Sequence, residues 1–74
     1  MLPLGKAVNV TPRGQVLLRT TSKVRVGGRV TDARGRDVGR IHDLIGPVRE
    51  PYVVISLGRG ADPRRLLGQE LFTR

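Results

Sequence analysis

The sequence predicts an all-β domain, a small barrel or sandwich, and two observations carry that expectation. Turn signals recur at short, regular intervals: Pro12-Arg13-Gly14, Gly27-Gly28, Arg34-Gly35, Gly46-Pro47, Glu50-Pro51 and Gly58-Arg59-Gly60. Between them lie short segments rich in β-branched and aliphatic residues, which suit a pleated, half-buried surface. Strands are expected near residues 4–10, 15–20, 28–31, 36–45, 52–57 and 69–73.

Each connection has its own chemistry. In VTPRGQV, Pro12 presets a turn and Gly14 is free to take a positive φ. In TDARGRDV, Asp32 opens a type I turn and Gly35 takes the left-handed position of a bulged hairpin. The fourth strand, within VGRIHDLIGPV, is irregular. Val38 and Ile41 have opposite parity, as do Leu44 and Ile45, so one flat strand cannot bury all four. A bulge or corner is required, with Gly39 and Gly46 the natural places. DPRRLLG predicts one short helical turn before the last strand: Asp62 caps it, Pro63 fits its first position and Gly68 ends it.

Seventy-four residues make one domain, spanning 1–74. A chain this small buries about 60% of the surface it exposes when unfolded. There is no cysteine, which excludes disulfides, thiolate metal sites and a cysteine nucleophile. Of the usual supports for a small core, a partner remains open. No apolar run is long enough to span a bilayer, and the N-terminus has no signal-peptide pattern, so the expectation is a soluble, cytoplasmic protein without membrane attachment.

The net charge is +8, carried by twelve arginines and two lysines. This balance points to an anionic neighbour, either nucleic acid, a ribonucleoprotein or an acidic protein face. The plainer alternative is a solvated basic surface. Tyr52 and Phe72 are the aromatic residues, too few for the base-stacking platforms that sequence-reading RNA modules use. Candidate phosphate contacts are Arg34, Arg36, Arg59, Arg64 and Arg65, whose binding would be salt-dependent and indifferent to sequence.

No catalytic set is visible, and no cofactor or small-molecule substrate is expected. His42 is the single histidine and reads as a surface strand residue. Ser22 and Ser56 have no base at a suggestive spacing. Asp43 sits in an apolar run and reads as buried, with a hydrogen bond to nearby backbone. GRGADP lacks the remaining glycine or the Gly-Lys-Ser/Thr of a phosphate loop and reads as a turn.

Apolar pairs recur with both parities, at Leu17-Leu18, Val53-Val54-Ile55 and Leu66-Leu67. A small β-protein has no second layer to cover them, so some are expected to face outward as a contact surface. Pro47, Val48, Pro51 and Tyr52 flank the most apolar strand in a proline-stiffened segment. Such a segment loses little entropy on docking, and Tyr is favoured at interface centres. The alternative is that these residues fill a tight barrel end.

The same residues carry a family resemblance. LGKAVNV, GQVLLRT, GGRVTDARGRDVGRIHDLIGPVREPYVVI and LLGQELF resemble the Gar/Naf family in its compact archaeal Gar form, the small subunit of the H/ACA pseudouridylation particle. The framework is Val38, Gly39, Ile41, Asp43, Gly46, Pro47, Val48, Pro51, Tyr52 and Val53, with Gly5, Val30, Asp32, Gly68 and Leu71 flanking it. The resemblance implies a closed six-stranded antiparallel barrel like domain two of translation factors. It also implies a non-catalytic role in rRNA pseudouridylation in an archaeal cytoplasm. The chain would dock on the catalytic domain of a dyskerin-type pseudouridine synthase subunit, aiding substrate loading and product release. Other particle proteins and guide RNA would be indirect partners. Ile41, Ile45, Gly46, Pro47, Val48, Pro51 and Tyr52 would make the contact. GRVTDARGRDVGRIHDLIG also resembles PRC-barrel domains, including that of a ribosome-maturation factor that binds a ribosomal protein, but that pattern leaves GPVREPYV unexplained. An independent basic RNA-binding barrel is the third reading.

Overall fold

The computed structural model describes residues 2–20, 23–47 and 49–73. Its strands are β1 (Leu2–Val10), β2 (Val16–Arg19), β3 (Arg29–Thr31), β4 (Asp37–Ile45), β5 (Tyr52–Leu57) and β6 (Glu70–Thr73). They pair antiparallel in the order β1-β2-β5-β4-β3-β6, and β6 returns to β1 to close the barrel. Closure leaves no open edge to template aggregation. One short helix, α1 (Pro63–Leu66), lies between β5 and β6. The fold is the expected closed six-stranded barrel, and every strand boundary falls within two residues of its expected place.

The hairpins form as their residues dictate. In the β1–β2 turn, the Gly14 N–H donates to the Thr11 carbonyl at 2.9 Å and the Thr11 N–H to the Gln15 carbonyl at 2.8 Å. The β3–β4 turn repeats that pattern, with Gly35 N–H to Asp32 at 3.0 Å and Asp32 N–H to Arg36 at 3.0 Å. Gly14 and Gly35 both sit near φ +80°, the left-handed position that a type I turn with a following bulge requires. Asp62 caps α1, its Oδ1 accepting from the Arg64 N–H at 3.0 Å.

Two long strands turn the corners. β1 pairs with β6 along its first half and β2 along its second, while β4 serves β3 and then β5. At each corner a glycine lies against neighbouring backbone. A Cβ at Gly5 would stand 2.7 Å from the Arg19 carbonyl oxygen, and one at Gly39 would overlap the carbonyl oxygen of Ser56. Gly39 is thus a place of close backbone approach, not the expected bulge. The register slips lie beside it rather than on it. Val38 is passed over in the β3 pairing and His42 in the β5 pairing. Gly46 ends β4 at φ +92° instead of bulging it.

These slips explain the parity conflicts. Val38 and Ile41 both reach the core, and Leu44 packs against it while Ile45 faces out. Leu4, Ala7, Val16, Leu18, Val30, Val53, Ile55 and Leu71 complete the buried cluster, with Leu66 of α1 and Leu57 packed on its margin. Asp43 corrects an expectation. It is exposed, because the slip at His42 turns it outward, and its Oδ1 accepts from the Leu44 N–H at 2.8 Å. The backbone bond was expected; the burial was not found.

Candidate functional site

The outer face of β2, β5 and β4 is built from two cross-strand rows. Arg19 pairs with Tyr52 and Tyr52 with Ile45; one step along, Leu17 pairs with Val54 and Val54 with Asp43. Successive side chains alternate, and Leu18, Val53 and Ile55 point inward, so both rows point away from the core. Val54 is only 8% exposed, although it stands outside the core cluster. This corrects the expectation that Val53-Val54-Ile55 presents an apolar outer side. All three are buried within the single chain.

What stays accessible is the corner beside that strand. Ile45 is 46% exposed; Gly46 and Pro47 are exposed; Pro51 and Tyr52 are half-buried. Val48 lies outside the described residues. Ile41 corrects a second expectation. It is 1% exposed, one of the largest side chains sealed in the core, and cannot meet a partner at the surface. The corner is held by main-chain bonds: the Thr20 N–H donates to the Pro51 carbonyl at 3.1 Å, and the Glu50 N–H to the Pro47 carbonyl at 3.3 Å. Bonds of this kind limit the freedom that Glu50 and Pro51 would lose on docking.

Arg19 belongs to this corner, and sequence reasoning missed it. Its Nη2 donates to the Tyr52 hydroxyl at 2.7 Å, and its Cζ lies 5.0 Å from the ring centroid. That hydrogen bond, then the charge interactions with Tyr52 and Glu50, raises the guanidinium pKa above its ordinary value. The signal was in the sequence as two apolar runs. Aligning Leu17-Leu18 with Val53-Val54 in an antiparallel pair puts Arg19 opposite Tyr52. Exposed apolar side chains also lie elsewhere, at Leu2, Val8, Val26 and Leu67. The corner is distinguished by its pre-ordered, aromatic composition, not by its amount of apolar surface.

The candidate phosphate contacts gather at the other end of the β4–β5 ladder, where Gly39 pairs with Leu57. Arg34 and Arg36 sit on the β3–β4 turn, Arg59 in the turn after β5, and Arg64 and Arg65 on α1; all five are exposed. Asp32 organises the first pair. Its Oδ1 accepts from the Arg34 and Arg36 N–H groups, each at 2.9 Å, and its Oδ2 pairs with Arg36 Nε at 3.0 Å. Burial acts to raise the Asp32 pKa, but these bonds and the Arg36 charge outweigh it and hold the carboxyl below its usual value.

No helix among the described residues is long and apolar enough to cross a membrane. No protein-family model matches the chain. An uncharacterized protein of the archaeon Methanothermobacter thermautotrophicus is similar, 29% identical over 75 residues, with 97% of this chain and 82% of that protein covered.

Proposed function

We propose that this barrel is a non-catalytic subunit of an H/ACA-type pseudouridylation particle, docked on the synthase subunit through the Ile45–Tyr52 corner. The observation that supports this most is the row Arg19–Tyr52–Ile45 standing beside Pro47 and Pro51. Pro47, Pro51 and Tyr52 fall in GPVREPY and belong to the framework that carries the Gar/Naf resemblance. A half-buried tyrosine with an exposed isoleucine, on a backbone already fixed, is suited to anchor an interface. The chain supplies shape and position, and the uridine chemistry belongs to the synthase. Docked there, the corner would bear on a segment of the synthase that moves during substrate loading and product release in rRNA pseudouridylation.

The test is copurification. Tagged wild-type protein, returned to its source cell, is expected to bring down a dyskerin-type pseudouridine synthase. The double variant Ile45→Asp with Tyr52→Ala is expected to lose it while keeping its circular dichroism spectrum and cooperative melt. Both side chains point outward, so the core is untouched. A folded double variant that recovers the synthase in full would reject the proposed surface.

A further inference from the structure

At the end of the barrel away from the corner, two adjoining hollows of about 320 Å³ and about 230 Å³ share Asp32, Arg36 and Gln69 in their walls. Arg59 and Arg65 line the larger and Arg34 the smaller, with Arg64 next to Arg65 on α1. Four arginines, Arg34, Arg36, Arg59 and Arg65, thus line the hollows from two short segments far apart in sequence. Three carboxylates lie among them, two of which have structural work. Asp32 holds its own turn and Arg36, and Asp62 caps α1 on the Arg64 N–H. Asp37 remains beside the arginines in the larger hollow.

The walls are fixed in place. Gln69 Nε2 donates to the Arg65 carbonyl at 2.6 Å, and Leu66 of α1 packs against the core cluster that contains Val38. The backbone that carries the arginines is therefore fixed, and with Arg36 paired to Asp32, the side chains of Arg34, Arg59 and Arg65 are left to meet a bound polyanion. A guanidinium fork matches a phosphate's oxygens, and several phosphates in succession match an extended pair of hollows better than one small anion does. A duplex presents its phosphates on a convex rod and would touch the rim alone; a flexible strand can follow concave walls. Neither Tyr52 nor Phe72 lines the hollows, so bases are not stacked there.

We propose that this cleft binds the phosphodiester backbone of a single-stranded nucleic acid, without reading its bases. The site shares no residue with the Ile45–Tyr52 corner, so either reading can fail without the other.

The probes are fluorescent oligo(U) and oligo(dT) of about 12 nucleotides, within the usual range for one small barrel. Binding of the full chain is followed by anisotropy from about 50 to about 200 mM salt. Binding that weakens steeply with salt and is equal for mixed and homopolymer sequences is expected. The triple variant Arg34→Gln, Arg59→Gln, Arg65→Gln should lose at least tenfold in affinity and flatten the log–log salt slope by about 2, at about 0.7 per phosphate contact. A control removing the same charge elsewhere, Lys23→Gln, Arg25→Gln, Arg49→Gln, should lose less than threefold. The ratio of the two probes' affinities identifies RNA or DNA as the natural strand.

Equal losses from both triple variants would overturn the proposal in favour of diffuse charge. Displacement by millimolar inorganic phosphate would make the cleft a small-anion site, and displacement by polyglutamate an acidic-peptide site; either would also overturn it. Should the cleft variant fail to fold, amide NMR shifts of the wild type decide. On adding oligo(U), the amides of residues 33–36, 58–62 and 64–66 should move; movement confined elsewhere would contradict the proposal.

Discussion

Single residues set the limits of this fold at its turns and corners. Gly39 faces the Ser56 carbonyl so closely that a methyl group has no room, whereas a Cβ at Gly14 meets nothing within 4 Å. Gly39→Ala should therefore cost more than about 3 kcal/mol through forced backbone movement. Gly14→Ala should cost about 1–2 kcal/mol, for its left-handed backbone alone. Chemical denaturation of the two variants checks the order, and equal losses would contradict it. Asp32 gives a pH signature. A carboxyl held low in the folded state stabilises the fold above its unfolded value of about 3.9. That contribution is lost as pH falls through the lower folded value. Asp32→Asn keeps an acceptor for the turn and removes the charge. Its melting temperature should lie below wild type at pH 7, and the gap should close as pH falls below about 4. A gap that is constant with pH would show that the charge contributes nothing.

At the scale of strands, one test asks whether the outer face of β5 is covered. Val54 and Val8 both lie outside the core cluster, yet they are 8% and 60% exposed. Val54→Ala should cost about 1.5 kcal/mol, two buried methylene equivalents. Val8→Ala should stay within about 0.5 kcal/mol. Equal effects would mean that Val54 gains nothing from its neighbours. The same strand shows where sequence reading succeeds and where it stops. Turn residues such as Pro12, Gly14, Asp32 and Gly35 act locally, so the elements they bound were legible to within two residues. Parity could demand an irregularity in β4 but could not place it at Val38 and His42, because a slip is settled jointly by both neighbouring strands. For that reason Asp43 was misplaced and Val54 was left without a cover, whereas Ile41 was placed at the surface by the family resemblance alone. Arg19 was invisible for a related cause: its meeting with Tyr52 spans 33 positions of sequence and exists only once the β2–β5 register is set.

On the scale of the whole molecule, the barrel separates two kinds of surface along one ladder. Ile45 and Tyr52 pair at one end of β4–β5, and Gly39 and Leu57 pair at the other, beneath the arginine cleft. The six register steps between them span about 20 Å of strand. A protein bound at the first end would leave the second free to meet an anionic strand. The cleft carries only part of the net charge of +8, because Asp32, Asp37 and Asp62 stand among its arginines. The proposed docking puts the synthase on the Ile45–Tyr52 corner and on no other apolar patch. Hydrogen exchange on the isolated complex, compared with the free chain, tests this most directly. Slowed exchange is predicted for the amides of Arg19, Ile45, Gly46, Arg49, Glu50 and Tyr52; slowing instead around Leu2, Val8 or Leu67, with the corner unchanged, would contradict it.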